Sequence, residues 1–407
     1  RSALSANTTA SYNTAVGYAA LLSNTTGINN TAVGYNALYQ QTTGDGNTAL
    51  GVEALKENTT ADSNTAIGYL ALKLNTTGAG NVAVGTNALD ANTTGNNNTS
   101  VGVGALGSNT TADDNTAVGL QAMNANTTGN SNVAVGHDAL EKNTTGSYSV
   151  AIGLEALENS VQGNGSVAIG YKALHASTES NYQVAIGFEA LESATSAATG
   201  NVMMGYRCGH NLTTGDDNVA IGYGALYSIT EASKNVAIGR DALYTNTDSG
   251  QNNVAVGYAA LLANTAGDNN VAVGTYALDS NTTASNNTGL GYGTLATNTT
   301  GERNVAVGTN ALDANTTANN NTACGYDALS ANSTGEKNTG CGGYALQLNT
   351  TGDNNTGLGY NALGANTTGT QNVAVGAYAL DANTTASDNV AVGYQAGTAI
   401  TLSLIHI

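Results

Sequence analysis

Hydrophobic and polar positions recur along this chain with a period of seventeen residues. A glycine marks each copy, from Gly17, Gly34 and Gly51 to Gly187, again at Gly205, Gly222 and Gly239, and then from Gly257 to Gly393. The 23 copies share the consensus N-[TV]-A-[VI]-G-Y-x-A-L-x-x-N-T-T-[GA]-x-x, and such self-similarity is the signature of a repeat architecture. Positions are counted here from the motif glycine. Position −3 is Thr or Val in every copy, and −1 is Val, Ile or Leu except at Met204, Cys324 and Cys341. Between them stands Ala in 18 copies. This alternation predicts a short strand with a β-branched face and an Ala/Gly face. The expectation is that the Val, Ile and Leu positions are buried. Ala and Leu at +3 and +4 supply a second inward patch, and Asn-Thr-Thr-Gly predicts an exposed turn.

The predicted fold is an all-β, repetitive β-solenoid (a parallel β-roll) of 23 coils, seventeen residues each, with two short strands and two turns per coil. A leucine-rich-repeat-like coil with a helical turn at Tyr-x-Ala-Leu is the alternative. One coil cannot bury its apolar face alone, so each covers the next. Coils ~4.8 Å apart would give a rod on the order of 110 Å long. Position −4 is Asn in 20 copies, with Ser149, Ser166 and Gln183 as exceptions, and stacked Asn side chains predict a hydrogen-bonded ladder. Two steps have 18 residues, with the extra residue in loops at Glu192–Gly200 and Tyr244–Asn252. The expectation is one continuous solenoid over 1–401 with degenerate turns at about 159–249. Residues 402–407 read as translated sequencing adapter, and the chain as a piece of a longer reading frame.

Composition narrows the function. Of 407 residues, 52 are Gly, 20 Tyr, one Phe, and none Trp or Pro; 28 acids against 10 bases give −18. That balance argues against a nucleic-acid or anionic-lipid surface. No apolar run approaches the ~18 residues of a membrane span, so no membrane insertion is expected here.

No catalytic, cofactor-binding or metal site is expected. His137, His175 and His210 lie in different copies with no shared spacing and read as solvated surface; His406 belongs to the adapter. Neither a metal-ligand spacing nor a phosphate loop occurs. Cys208, Cys324 and Cys341 replace core positions and read as buried thiols, the last two one repeat apart and so near enough for a disulfide. Acids gather before the strand at Asp45, Asp62, Asp113, Asp114, Asp216, Asp217, Asp268, Asp353 and Asp388. Solubility accounts for them, with calcium at these acidic turns as the alternative. Fourteen Asn-Thr-Thr triplets from Asn7 to Asn383 are formal glycosylation sequons, but turns first. Tyr follows the glycine in 11 copies, among them Tyr18, Tyr35, Tyr171, Tyr258 and Tyr394, with Phe188 in the same place. Such a column suits a subunit interface better than a ligand-stacking strip.

At Ser149–Gly153 and Ser166–Gly170, reading Ser-Val-Ala-Ile-Gly, and in Asn-Val-Ala-Val-Gly copies, the chain resembles head-domain repeats of YadA-like trimeric autotransporter adhesins. The longer Asn-Thr-Ala-Val-Gly-Tyr-Asn-Ala-Leu of Asn30–Leu38 is similar to repeats of phage and bacterial tail-fibre proteins, some of which end in an endosialidase-type chaperone domain. The resemblance covers residues 1 to about 397. It implies a homotrimer of parallel β-rolls in an extracellular fibre, on a bacterial surface or a virion tail, attaching to a host-surface glycan or protein receptor. The YadA-type repeat is shorter, no anchor or chaperone region is read here, and no functional residue transfers. The alternatives are an ice-binding β-solenoid, from the threonine-rich columns, and a solenoid polysaccharide-degrading enzyme, which would need a carboxylate or basic cluster on one face. Strand threonines that exchange with Val point to burial and away from ice contact, so negligible thermal hysteresis is expected.

Overall fold

The computed structural model describes residues 2–195, 197–245 and 249–398. The chain falls into two compact units, Arg1–Asn201 and Val202–Ile407. The first carries eleven strands from β1 (Thr14–Val16) to β11 (Val184–Ile186), and the second twelve from β12 (Val202–Met204) to β23 (Val390–Val392). Each is a β-solenoid of parallel three-residue strands, one per coil, and no helix occurs among the described residues. Neighbouring strands pair in register, Thr14 with Thr31, Ala15 with Ala32 and Val16 with Val33.

The second strand expected in each coil is replaced by an irregular wall. Its backbone still bonds coil to coil, Leu21 N–H to Ala37 O at 3.0 Å and Leu38 N–H to Ala54 O at 3.1 Å. Its residues at +2 and +4 sit in the left-handed region, as Asn36 (φ 55°) and Leu38 (φ 50°) do, which breaks the strand alternation. A third left-handed residue, such as Asn29 (φ 58°), stands at −5. β-Branched side chains are strained there, and none occupies any of these three positions in the 23 copies. This is why the buried wall uses Leu, or Met123, while Val and Ile fill −1 freely.

The faces of the strand are the reverse of the expectation. The middle Ala is fully buried, as at Ala32 and Ala49, while the flanking residues face outward and Leu50 is 48% exposed. The interior between the two walls is too narrow for a β-branched side chain at −2. A methyl group added to Gly340 or Gly357 would already meet the carbonyl of Ala345 or Ala362 at 3.1 or 3.0 Å. Two of the five exceptions are compensated within the same coil. Met203 replaces the middle Ala where Gly209 replaces Leu, and a Cβ on Gly209 would lie 2.8 Å from the Met203 sulfur. Gly289 replaces the same Ala where Thr294 replaces Ala, whose hydroxyl would lie 2.8 Å from a Cβ at Gly289. Close packing of this kind conserves volume locally. The motif glycine is fixed by the backbone of the next coil: a Cβ on Gly68 (φ 139°) would sit 2.4 Å from Gly85 O.

Asn ladders complete the interior. The one expected at −4 is present, with Asn64 N–H donating to Asn47 Oδ1 at 2.9 Å and Asn64 Nδ2 to Gly78 O at 2.9 Å. A second, unexpected ladder uses the Asn of the Asn-Thr-Thr turn. Asn75 Nδ2 donates to Asn58 Oδ1 and to Gly78 O, both at 2.9 Å. Beyond the first copy both sets of Asn are buried, so only the threonines of that turn reach the surface. Buried amides are tolerated because they are hydrogen-bonded.

Candidate functional site

Two features stand out from the repeating scaffold: the outward face of the strands and a charged column beside it. On the outward face three columns run from coil to coil within each unit, at −3, −1 and +1. Val16, Leu50, Ile67, Val101 and Val118 in the first unit and Ile221, Ile238, Leu290 and Leu358 in the second are exposed. Tyr35 at +1 is 49% exposed. Successive tyrosines at +1 stack, with Tyr18 and Tyr35 rings 5.2 Å apart and 9° from parallel. In the second unit tyrosines also occur at +2, a column the sequence reading passed over. There +1 and +2 alternate and the rings meet edge to face, Tyr344 to Tyr360 at 5.6 Å and 84°. Both are favourable aromatic geometries.

The strand threonines share this face, so their exchange with Val reflects a half-exposed surface and not burial. Cys324 and Cys341, at −1, are likewise half-exposed free thiols paired side by side across neighbouring strands. Only Cys208 is buried as expected; burial pushes its thiol up to about 12.

The charged column lies at +2, +5 and +6. Lys73 pairs with Glu53 at 3.2 Å and Lys56 with Glu57 at 3.4 Å. Further along the first unit, Glu155 and Glu158 from one coil meet His175 from the next. His175 Nε2 is 3.0 Å from Glu158 Oε2 and 3.6 Å from Glu155 Oε2. Lys142 donates to Glu158 Oε1 at 3.0 Å, and Lys172 lies 3.4 Å from Glu155 Oε2. Burial raises the Glu158 carboxyl, but the bond and charge of Lys142, with His175 after them, hold it below the usual carboxylate range. His175 is therefore not solvated surface. It and His210 both stand at +5, a shared spacing hidden by the 18-residue step between them. His137 fits the surface reading, half-exposed beside Asp138 at 3.2 Å. His406 lies outside the described residues.

Where +2 is glycine, the column opens into a notch. At Gly104 a cavity of about 340 Å³ is lined by Asp90, Leu120 and Asn124; at Gly293 one of about 370 Å³ is lined by Tyr276, Asp279 and Asp313. Burial raises the carboxyls of Asp90, Asp279 and Asp313. In the second unit Arg207 and Arg240 lie over Tyr206 and Tyr223, 5.3 and 5.2 Å from the ring centres, the geometry of a cation–π contact.

Five of the nine acids before the strand have a structural task. Asp45 Oδ1 accepts Ile28 N–H at 2.7 Å, Asp62 Oδ1 accepts Asp45 N–H at 2.7 Å, and Asp113, Asp268 and Asp353 do the same for the coils before them. Asn130 and Ser233 fill this position elsewhere with the same bond. Among the described residues, these carboxylates do not gather into a group of three that could hold a metal ion.

No helix among the described residues is long and apolar enough to cross a membrane. No protein-family model and no curated protein matches this chain.

Proposed function

We propose that this chain is a structural, adhesive segment of an extracellular fibre, assembled as a homotrimer through the outward strand face and carrying a surface that attaches to a glycan or protein receptor. The observation that carries this reading is the exposed apolar face itself. Parallel sheets are ordinarily covered on both sides, and contiguous apolar patches beyond a few hundred Å² mark interaction surfaces. Here Val, Ile, Leu and Tyr recur from coil to coil on a face that the single chain leaves open. Tyr and aliphatic side chains suit the core of such an interface, with the phenol hydroxyl reaching its rim. A bacterial surface and a virion tail both fit this role.

Sedimentation equilibrium tests the assembly. The wild-type chain is expected to run as a trimer at micromolar concentration. A variant carrying Val101→Asp, Val118→Asp and Leu290→Asp is expected to run as a monomer with an unchanged circular dichroism spectrum. A monomeric wild type would overturn the reading.

The ice-binding alternative gains one observation, because the rows of Thr and Val at −3 lie on the open face. Bulky Ile, Leu and Tyr in the adjacent columns roughen that face, so negligible thermal hysteresis remains the expected result. Clear hysteresis at micromolar protein, lost on replacing Thr31, Thr48 and Thr65, would favour ice.

A further inference from the structure

We infer that Glu155, Glu158 and His175 form a binding site for one zinc-class divalent ion, which ties two successive coils of the first unit together. The three side chains each offer one ligand atom, and these atoms lie within 4.8 Å of one another. Zinc binds imidazole nitrogen and carboxylate oxygen at about 2.0–2.1 Å in tetrahedral geometry, which sets ligand atoms about 3.3–3.4 Å apart. The observed separations of 3.0 Å and 3.6 Å from His175 Nε2 to the two carboxylates bracket that value. Each histidine–glutamate pair therefore needs to move only a few tenths of an ångström to close on an ion. One imidazole with two carboxylates suits zinc and its neighbours, whereas calcium and magnesium prefer all-oxygen sites. Three protein ligands leave the fourth position to water.

The surroundings are arranged for this. Glu158 presents Oε2 to His175 while Oε1 is held by Lys142, and Lys142 also donates to Asn159 Oδ1. Asn159 Nδ2 donates to the His175 backbone carbonyl at 2.9 Å, fixing the two coils against each other. Such outer contacts orient metal ligands. Lys172 occupies the edge of the site, on the same Glu155 oxygen that an ion would use. Its long flexible chain can swing into water, and zinc binding requires it to do so.

The position in the fold gives the site a purpose. The turn ladder is interrupted here, with Ser160, Ser177 and Ala194 in place of Asn, while Ser149, Ser166 and Gln183 carry on the bonds of the −4 ladder. A metal bridge between the coil of Gly153 and the coil of Gly170 supplies a cross-coil link where the amides are missing. The sequence repeats the same residue types in the same positions at Glu189, Glu192 and His210.

Isothermal titration of the full chain with Zn²⁺ alone, at neutral pH in a non-chelating buffer, tests the site. Binding at micromolar affinity or tighter is expected, with His175→Ala and Glu155→Gln each losing one equivalent or weakening it at least tenfold. His137→Ala is expected to change nothing. Lys172→Met is expected to tighten binding several-fold, whereas in a purely ionic cluster it would only remove a pair. Cobalt substitution is expected to give a tetrahedral visible absorption band that His175→Ala diminishes by one equivalent. Zinc is expected to raise the melting temperature of the wild type more than that of His175→Ala, since only the native state binds. Absence of zinc binding by a folded wild type, or binding unaffected by His175→Ala, would overturn the inference.

Discussion

Two stretches of the first unit have the same strand and differ in what lies behind it. From Asn58 to Asn143, every turn Asn hands a 2.9 Å hydrogen bond to the one before it, an unbroken chain of six buried amides. From Ser149 to Ala198 that chain stops. In its place Ser180 Oγ donates to Ser160 Oγ at 3.1 Å, and Ser177 Oγ has no partner. Strand pairing does not register the change: Val133 to Val150 and Val150 to Val167 remain in register. The wall of strands thus rests on backbone bonds, the motif glycine and Ala–Leu packing, all common to both stretches. The turn ladder adds to that wall and can be dispensed with locally. At −4 a hydroxyl takes over both tasks of the amide, Ser166 Oγ accepting Gln183 N–H at 3.1 Å and donating to Ser180 O at 3.2 Å.

The largest expected effect tests what the stretches share. Gly85→Ala in the regular stretch and Gly170→Ala in the altered one should each cost about 3 kcal/mol or more, because a methyl there strikes the next coil's backbone at a positive φ. Denaturant unfolding of both variants checks this; a large loss in only one would show that the wall differs after all.

A smaller effect separates the stretches. Asn75→Ala should cost about 2–3 kcal/mol, since it leaves Asn58 Oδ1 short of a donor and Asn92 Nδ2 short of an acceptor in a buried setting. Ser177→Ala should be neutral or slightly stabilising, because it removes a buried hydroxyl without a partner. Thermal melts of the two variants side by side would undo the comparison if their order were reversed.

The smallest effect is one of pH and has opposite signs in the two stretches. Asp90 in the regular stretch has its carboxyl raised by burial, so its charged form disfavours folding; the stability it gives is present below the ordinary aspartate value and lost as pH rises. Asp90→Asn should therefore raise the melting temperature at neutral pH, with the gain shrinking toward pH ~3. Glu158 in the altered stretch is held low by Lys142 and His175, so its contribution is present above the ordinary glutamate value and lost on acidification. Glu158→Gln should cost roughly 0.5 kcal/mol at neutral pH and nothing near pH ~3. Melting curves across pH, in a metal-free buffer, check both signs.

Much of this was legible in the residues. The spacing of Gly17, Gly34 and their successors gave the all-β solenoid, the strand just before each glycine and the ladder at −4. Insertions confined to Glu192–Gly200 and Tyr244–Asn252 marked the turns as the tolerant part. The charged site was harder to read. Glu155 and Glu158 are close in sequence, but His175 joins them only because coils stack seventeen residues apart. Comparing +5 in neighbouring copies, where Glu158 is followed by His175, was the signal that could have found it.

The sequence by itself determined the repeat, the element and the register, because a pattern copied 23 times leaves one way for coils to stack on equivalent neighbours. It also determined that −3 and −1 share a face and −2 takes the other, since strand side chains alternate. Which face turns inward was decided only by tertiary structure. Alternation carries no sign, and β-branched residues ordinarily go inside. Here seventeen residues close into a coil so narrow that the wall bearing Leu38 and its counterparts leaves space for Ala32 alone at the strand centre. Space, more than hydrophobicity, put Val and Ile on the outside.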